Sequence, residues 1–366
     1  MLNKARVSYI KFLLILCFIL SFALFSLSLY LHLPLKINAS YGLYILNGQS
    51  VTDISNNLVK DKIIKYPWLF KFTLILLNKD SKIQAGEYEL SIQDNASLSD
   101  LINKITTGAV KRYSFRIHDG ETIASIINRL KQEVKLKKIL INDLLNPNSL
   151  AFKKIISDTS IFLKNNSVLN AAPASEPVSL DGLLSPDTYY YSFQDLDAKL
   201  VNIARLKLLN ALKTIWEAGP YKKNSDPMYY KVISSPYRAL ILASILEKEA
   251  ASSNERLLIS GVIYNRLRLG MPLQVDPTVI YALSDKYNGN LTKADLSYNS
   301  PYNTYINKEL PPGPIGTVSV SSIQAAINPL RNDYLYFVSK GDGTHHFSKT
   351  LEEHSMAVNY YQKIKK

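Results

Sequence analysis

The stretch Leu240-Ile241-Leu242-Ala243-Ser244-Ile245-Leu246-Glu247-Lys248-Glu249-Ala250 decides how the chain is read. With its lead-in from Tyr237 it has few helix breakers, which predicts a mostly buried helix over 237–250. The helix ends in two carboxylates. At about 100° per residue they point about 200° apart and cannot share one face. Glu249 stacks on Ile245 and Leu242, Glu247 on Ala243 and Leu240. Either could sit among apolar side chains, which would raise its pKa and keep it protonated near neutral pH, as a general acid requires. Periodicity leaves the choice between them open. The plain alternative is a helix end carrying surface charges.

Upstream, Tyr44–Val51 followed by Ile54 and Leu58 reads as a strand, a Gly turn, a Ser cap and an amphipathic helix. The pattern returns 72 residues later, with Gly120, Thr122, Ile123, Ile126 and Leu130 in place of Gly48, Ser50, Val51, Ile54 and Leu58. A weaker copy runs from Tyr88-Glu89-Leu90 through Ser97, Leu98, Leu101 and Ile105. No such unit buries its apolar face by itself, so the copies are expected to pack together. Further upstream, Phe12–Leu35 is a run of 24 residues without Lys, Arg, Asp or Glu. As a helix it is about 36 Å long, enough to cross a hydrocarbon core of about 30 Å. It exceeds the usual apolar region of a cleaved signal peptide, and Lys36 and Asn38 interrupt the approach to Ala39-Ser40, so it is read as an anchor. Lys4, Arg6 and Lys11 precede it and only Lys36 follows closely, which predicts a cytoplasmic N-terminus.

The 366 residues are 47% hydrophobic and 20% charged, which excludes wholesale disorder. The net charge is +13, but only 10 of the 43 basic residues are Arg and Tyr numbers 24. Such an excess is also what a Lys/Tyr/Asn/Ile-rich coding bias produces, and an ectodomain beyond a membrane disfavours nucleic acid as a partner. The single cysteine, Cys17, lies in the apolar run, which leaves no intramolecular disulfide and no Cys-based metal or redox motif. His345, His346 and His354 are not read as metal ligands, because adjacent His residues on a strand face opposite ways. No cofactor is expected: phosphate-binding Gly loops, nucleophile elbows and dinucleotide fingerprints are missing from the sequence.

Downstream of the apolar helix a series of motifs follows in order. It runs Ser253-Asn254-Glu255-Arg256, Val262–Leu267, Gly270-Met271-Pro272-Leu273-Gln274-Val275-Asp276-Pro277-Thr278, Ser300-Pro301-Tyr302-Asn303-Thr304-Tyr305, Leu310–Ile315, Tyr334–Val338 and Gly341–Phe347. With Gln84–Tyr88 upstream and the anchor, this set resembles the endolytic murein transglycosylases, the MltG/YceG-like family. The resemblance implies that Glu249 is the catalytic acid. It departs at Ala250, where Thr or Ser is frequent, and at Ser185, where an aromatic is usual.

It also implies peptidoglycan lytic transglycosylase activity, in which the bond between N-acetylmuramic acid and N-acetylglucosamine in nascent glycan strands is cut to a 1,6-anhydro end and elongation stops. Peptidoglycan synthases become candidate partners. One carboxyl suffices for this reaction, whereas ordinary glycosidases need two. Gln274, Tyr302, Asn303 and Tyr305 are candidate sugar contacts, and Asp276 reads as a cap on the helix after it. Arg266 is expected to pair with Glu247 or Glu255. The strand–turn–helix copies resemble LysM modules, which bind amino-sugar polymers.

The expected architecture is therefore α+β: a cytoplasmic tail over 1–11, a transmembrane helix over 12–35 in the inner membrane, and LysM-like βα units over 40–135. A connector over 136–180 and a periplasmic catalytic domain over 181–366 complete it. A wall-binding scaffold without catalysis and a muramidase-type hydrolase are the rival readings.

Overall fold

The computed structural model describes residues 2–37, 40–91, 95–165, 179–219, 232–250 and 252–364. The architecture is mixed α+β behind an N-terminal apolar helix, and the chain divides into two compact units. One is Met1–Tyr113 with Tyr191–Asp195; the other is Ser114–Tyr190 with Leu196–Lys366.

In the first unit, α1 (Leu2–His32) contains Ser8–His32, the one helix among the described residues long and apolar enough to cross a membrane. It ends three residues before the charge-free run does. Pro34 bridges Ser97, the Leu35 amide donates to the Ala96 carbonyl at 2.9 Å, and Ile37 is buried. Residues 33–35 thus belong to the folded unit. Composition does not separate the two roles, because lipid and protein core both select apolar side chains.

Strands β1 (Tyr41–Ile45) and β2 (Gly86–Leu90) pair antiparallel, Leu43 opposite Tyr88. Helices α2 (Val51–Lys60) and α4 (Leu98–Thr107) each start in a capping box, Ser50 with Asp53 and Ser97 with Asp100. Leu43, Ile45, Ile54, Leu58, Leu90, Leu101 and Ile105 share one core with Phe70 and Leu74 of α3 (Pro67–Leu76).

The third copy of the strand–turn–helix pattern packs elsewhere. Strand β3 (Arg112–Ile117) starts in the first unit, but α5 (Ile123–Gln132) lies wholly in the second. Thr122 caps it as expected. Its turn is held by a distant segment: Gly120 N–H donates to Thr317 O, Thr317 N–H to Glu121 O, and Glu121 N–H to Thr317 Oγ1, all within 3.1 Å. A Cβ at Gly316 would come 2.5 Å from the Gly120 carbonyl oxygen, so this approach requires glycine.

The segment 136–165 is also built into the second unit rather than forming a connector. Leu136, Ile141 and Leu144 are buried, and α6 (Leu150–Asn165) follows them. Asp197, itself buried, accepts the backbone N–H groups of Ile139, Leu140 and Ile141. Most of the expected connector over 165–180 lies outside the described residues. Strand β4 (Asp187–Ser192) pairs with β3.

The second unit is organised round α8 (Pro236–Glu249). Helices α7 (Asp197–Ala218), α9 (Ser253–Arg268), α10 (Asp276–Leu283) and α11 (Val320–Ile327) all pack on it. Every residue from Ala239 to Leu246 is buried, as its apolar circumference demands. Ser235 caps its start, and Ser244 Oγ accepts the Ile315 amide at 3.0 Å. Strands β5 (Tyr336–Ser339) and β6 (His345–Ser348) form an antiparallel hairpin, followed by α12 (Leu351–Val358).

Candidate active site

The two carboxylates at the end of α8 have opposite fates. Glu247 is clamped: its side chain is 3% exposed and pairs with Arg256 at 2.8 Å. Its second oxygen accepts the Ser319 amide at 2.7 Å and the Ser319 hydroxyl at 2.5 Å. The Arg256 guanidinium also donates to Ser321 Oγ and the Ala250 carbonyl. Three hydrogen bonds, one of them from a guanidinium, commit this carboxylate to its neighbours. It ties the end of α8 to the starts of α9 and α11.

Glu249 faces the other way and lines a cavity of about 510 Å³, together with Arg266, Gln274, Asp276, Tyr305, Tyr336 and His354 among others. Among the described residues nothing hydrogen-bonds to its carboxyl. The residue is half-buried and borders the cavity. This desolvation pushes its pKa up from 4.5 to about 8, with the negative charge of Asp276 adding to the rise. At neutral pH the protonated form of Glu249 therefore predominates.

Asp276 stands in the first turn of α10 and makes no capping bond; Val275 is the cap residue. The expectation of a cap fails because the side chain is taken by Tyr305, whose hydroxyl donates to Asp276 Oδ1 at 2.5 Å. Tyr305 is held protonated by burial and by that bond. Gln274 adopts φ +52, a left-handed conformation costly for a side-chain-bearing residue, and its amide donates to Thr304 O at 3.0 Å. The strained turn puts an exposed Gln274 side chain at the cavity lip.

Two of the four candidate sugar contacts, Gln274 and Tyr305, thus meet at Glu249, and two do not. Asn303 is completely buried; both amide hydrogens go to the Leu296 and Tyr298 carbonyls, and Oδ1 accepts from Tyr305 N–H. With its bonding capacity spent, it shapes the loop and has nothing to offer a sugar. Tyr302 is not among the cavity-lining residues; it packs on Tyr281 at 4.8 Å between ring centroids. Tyr281 in turn donates to buried Asp181 at 2.7 Å.

Arg266 pairs with neither Glu247 nor Glu255. Its guanidinium donates to the carbonyls of Leu335, Leu273 and Pro272 and to Gln274 Oε1, and lies 5.0 Å from the Tyr336 ring centroid. It fastens the loop 271–275 and the start of β5 to α9, and so sets two walls of the cavity. Glu255 is engaged by His345, through the backbone N–H at 2.7 Å and Nδ1 at 3.1 Å. The sequence reading missed the Tyr336–His354 wall, where the rings stack 5.2 Å apart. Tyr336 stands in one of the motifs of the series and His354 is weighed there only as a metal ligand, so the sequence reads neither as a wall of the site. Among the described residues no three His, Cys, Asp or Glu converge as metal ligands would.

An uncommitted, neutral carboxyl in a polar-lipped cavity is an arrangement that can support acid–base chemistry. The chain belongs to the YceG-like family, whose model matches residues 43–360. It is 36% identical over 326 residues to the endolytic murein transglycosylase of Bacillus subtilis, covering 87% of this chain and 83% of that protein. The endolytic murein transglycosylase of Streptococcus pneumoniae is 28% identical over 97% of this chain, which spans 65% of that longer protein. The crystal structure of a YceG-like protein from Listeria monocytogenes aligns with a TM-score of 0.54 at 33% identity, over 87% of this chain and 99% of that one.

Proposed function

We propose that the chain is an endolytic peptidoglycan lytic transglycosylase that cuts the bond between N-acetylmuramic acid and N-acetylglucosamine and leaves a 1,6-anhydro end. The observation that carries this reading is Glu249: half-buried, neutral, without a hydrogen-bond partner among the described residues, and open to a cavity. Glu249 protonates the glycosidic oxygen as the bond breaks. The resulting carboxylate takes the proton from the muramoyl 6-hydroxyl, whose oxygen closes on the anomeric carbon. The proton balance closes on one residue, and the internal nucleophile brings a large effective molarity. Gln274 and Tyr305, which line the same cavity, would orient the sugar.

The anchor Ser8–His32 would hold the enzyme at the inner membrane with its N-terminus cytoplasmic and the catalytic unit beside strands emerging on the far face. Cutting there would end glycan elongation, with peptidoglycan synthases as neighbours.

One observation favours a second reading. Asp276 lines the same cavity as Glu249, and a second carboxylate could direct water in a hydrolase. The pH profile bears on both. The protonated form of Glu249 disappears as pH rises through about 8, so kcat/KM is expected to hold to about neutrality and then fall about tenfold per pH unit. In Asp276→Asn the like charge is gone, and the falling limb moves to lower pH while burial, the larger cause, keeps the pKa raised. Substantial activity should remain. A loss as deep as that of a Glu249 variant would make Asp276 a catalytic group and favour hydrolysis.

A further inference from the structure

Besides α1, the first unit leaves one face of α3 uncovered. In α3, Phe70, Thr73 and Leu74 are buried in the core. The opposite face presents Trp68, Phe72, Ile75 and Leu76, which lie within about 100° of arc. Trp68 is 64% and Ile75 66% exposed. A helix apolar on both faces needs a second apolar surface against it.

The surroundings say what that surface is. The membrane-crossing helix re-enters the same unit through Leu33–Lys36. Tyr30 and Leu33 line one cavity with Ile64 and Lys65, the residues just before α3. The exposed face therefore starts where the span leaves the bilayer. Residues 60–76 carry Lys60, Lys62, Lys65 and Lys71 against one acid, Asp61. Lys65 lies 5.2 Å from the Tyr66 ring centroid, and Tyr66 is 6.5 Å from Trp68. Aromatic rings with flanking lysines suit the headgroup level of an anionic bilayer.

We propose that α3 is an in-plane interfacial helix, its Trp68/Phe72/Ile75/Leu76 face seated in the anionic leaflet from which α1 emerges. This fixes the first unit on the membrane at a second point beyond its anchor. The proposal rests on α1 crossing a membrane and is independent of the chemistry at Glu249.

The test uses the full chain in vesicles of phosphatidylglycerol and phosphatidylethanolamine, with flotation checked first. The chain has two tryptophans, and Trp216 is buried in the other unit. The difference between wild type and Trp68→Phe thus isolates Trp68 emission. It is expected to be blue-shifted, shielded from iodide, and quenched severalfold by lipids brominated near the top of the acyl chain. Quenching should weaken in phosphatidylcholine vesicles. The double variant Phe72→Glu with Ile75→Glu, altered only at exposed positions, should still float but lose the quenching. Iodide quenching without bromine quenching would overturn the proposal, and so would failure to float. Shielding from both quenchers would also overturn it, because a protein would then cover this face. Equal quenching in neutral vesicles would overturn the anionic part.

Discussion

Glu249→Gln is expected to lower the rate of glycan-strand cleavage by about 10³-fold or more, because the amide keeps the shape of the side chain but carries no exchangeable acid proton. The same variant should be more stable than wild type. In the unfolded chain the carboxyl titrates at its ordinary 4.5, whereas in the folded protein it titrates at about 8. Its folded pKa is raised, so this group's effect on stability is most favourable below 4.5. Stability is then lost as pH rises toward about 8, and the loss levels off above that. At pH 7 removing this penalty is worth at most roughly 3 kcal/mol. Thermal unfolding at pH 5 and pH 7 checks it: the gain in Tm of Glu249→Gln should be larger at pH 7. A variant that is inactive and also less stable at both pH values would point to a structural role for Glu249.

Glu247→Ala is expected to fail in the opposite way. It leaves the Arg256 side chain, only 12% exposed, without its counter-ion and the Ser319 amide without an acceptor. Breaking a buried pair by removing one partner costs about 3–5 kcal/mol. Arg256→Ala should cost a similar amount, and the double variant less than the sum, since each single change strands the other charge. Denaturant unfolding of the four proteins measures this. At temperatures where Glu247→Ala remains folded, it should retain far more activity than Glu249→Gln. Near-additive costs would mean that the two residues act separately.

These two carboxylates also mark where the sequence was informative and where it was not. The helix itself was legible, because a breaker-free apolar run has one comfortable place, inside a helical core. That one of its last residues is a neutral acid was only one of two open readings, the other being a charged surface end. Helical spacing puts both carboxylates beside apolar neighbours, so only the family resemblance pointed to Glu249. The decision comes from Ser319, 72 residues away, and from Arg256 on the next helix.

Asn303 shows the same limit. An amide in a polar loop is compatible with a sugar contact, and only the fold reveals that Leu296 and Tyr298 have used it up. The third strand–turn–helix copy carries the same local signals as the other two, caps included, yet it packs with the second unit because Thr317 and Asp181 bind its turn. Local structure follows local sequence; the choice of packing partner depends on residues far along the chain.

The central claim is that Glu249 moves one proton both ways and that the sugar supplies its own nucleophile. Digestion of purified glycan strands in heavy-oxygen water, followed by mass analysis of the products, tests it most directly. The account requires anhydro-muramoyl ends with no heavy oxygen at the new terminus, because that oxygen comes from the muramoyl 6-hydroxyl. Stoichiometric label on reducing muramoyl ends would contradict it, and would make the chain a hydrolase with Asp276 as its second carboxylate.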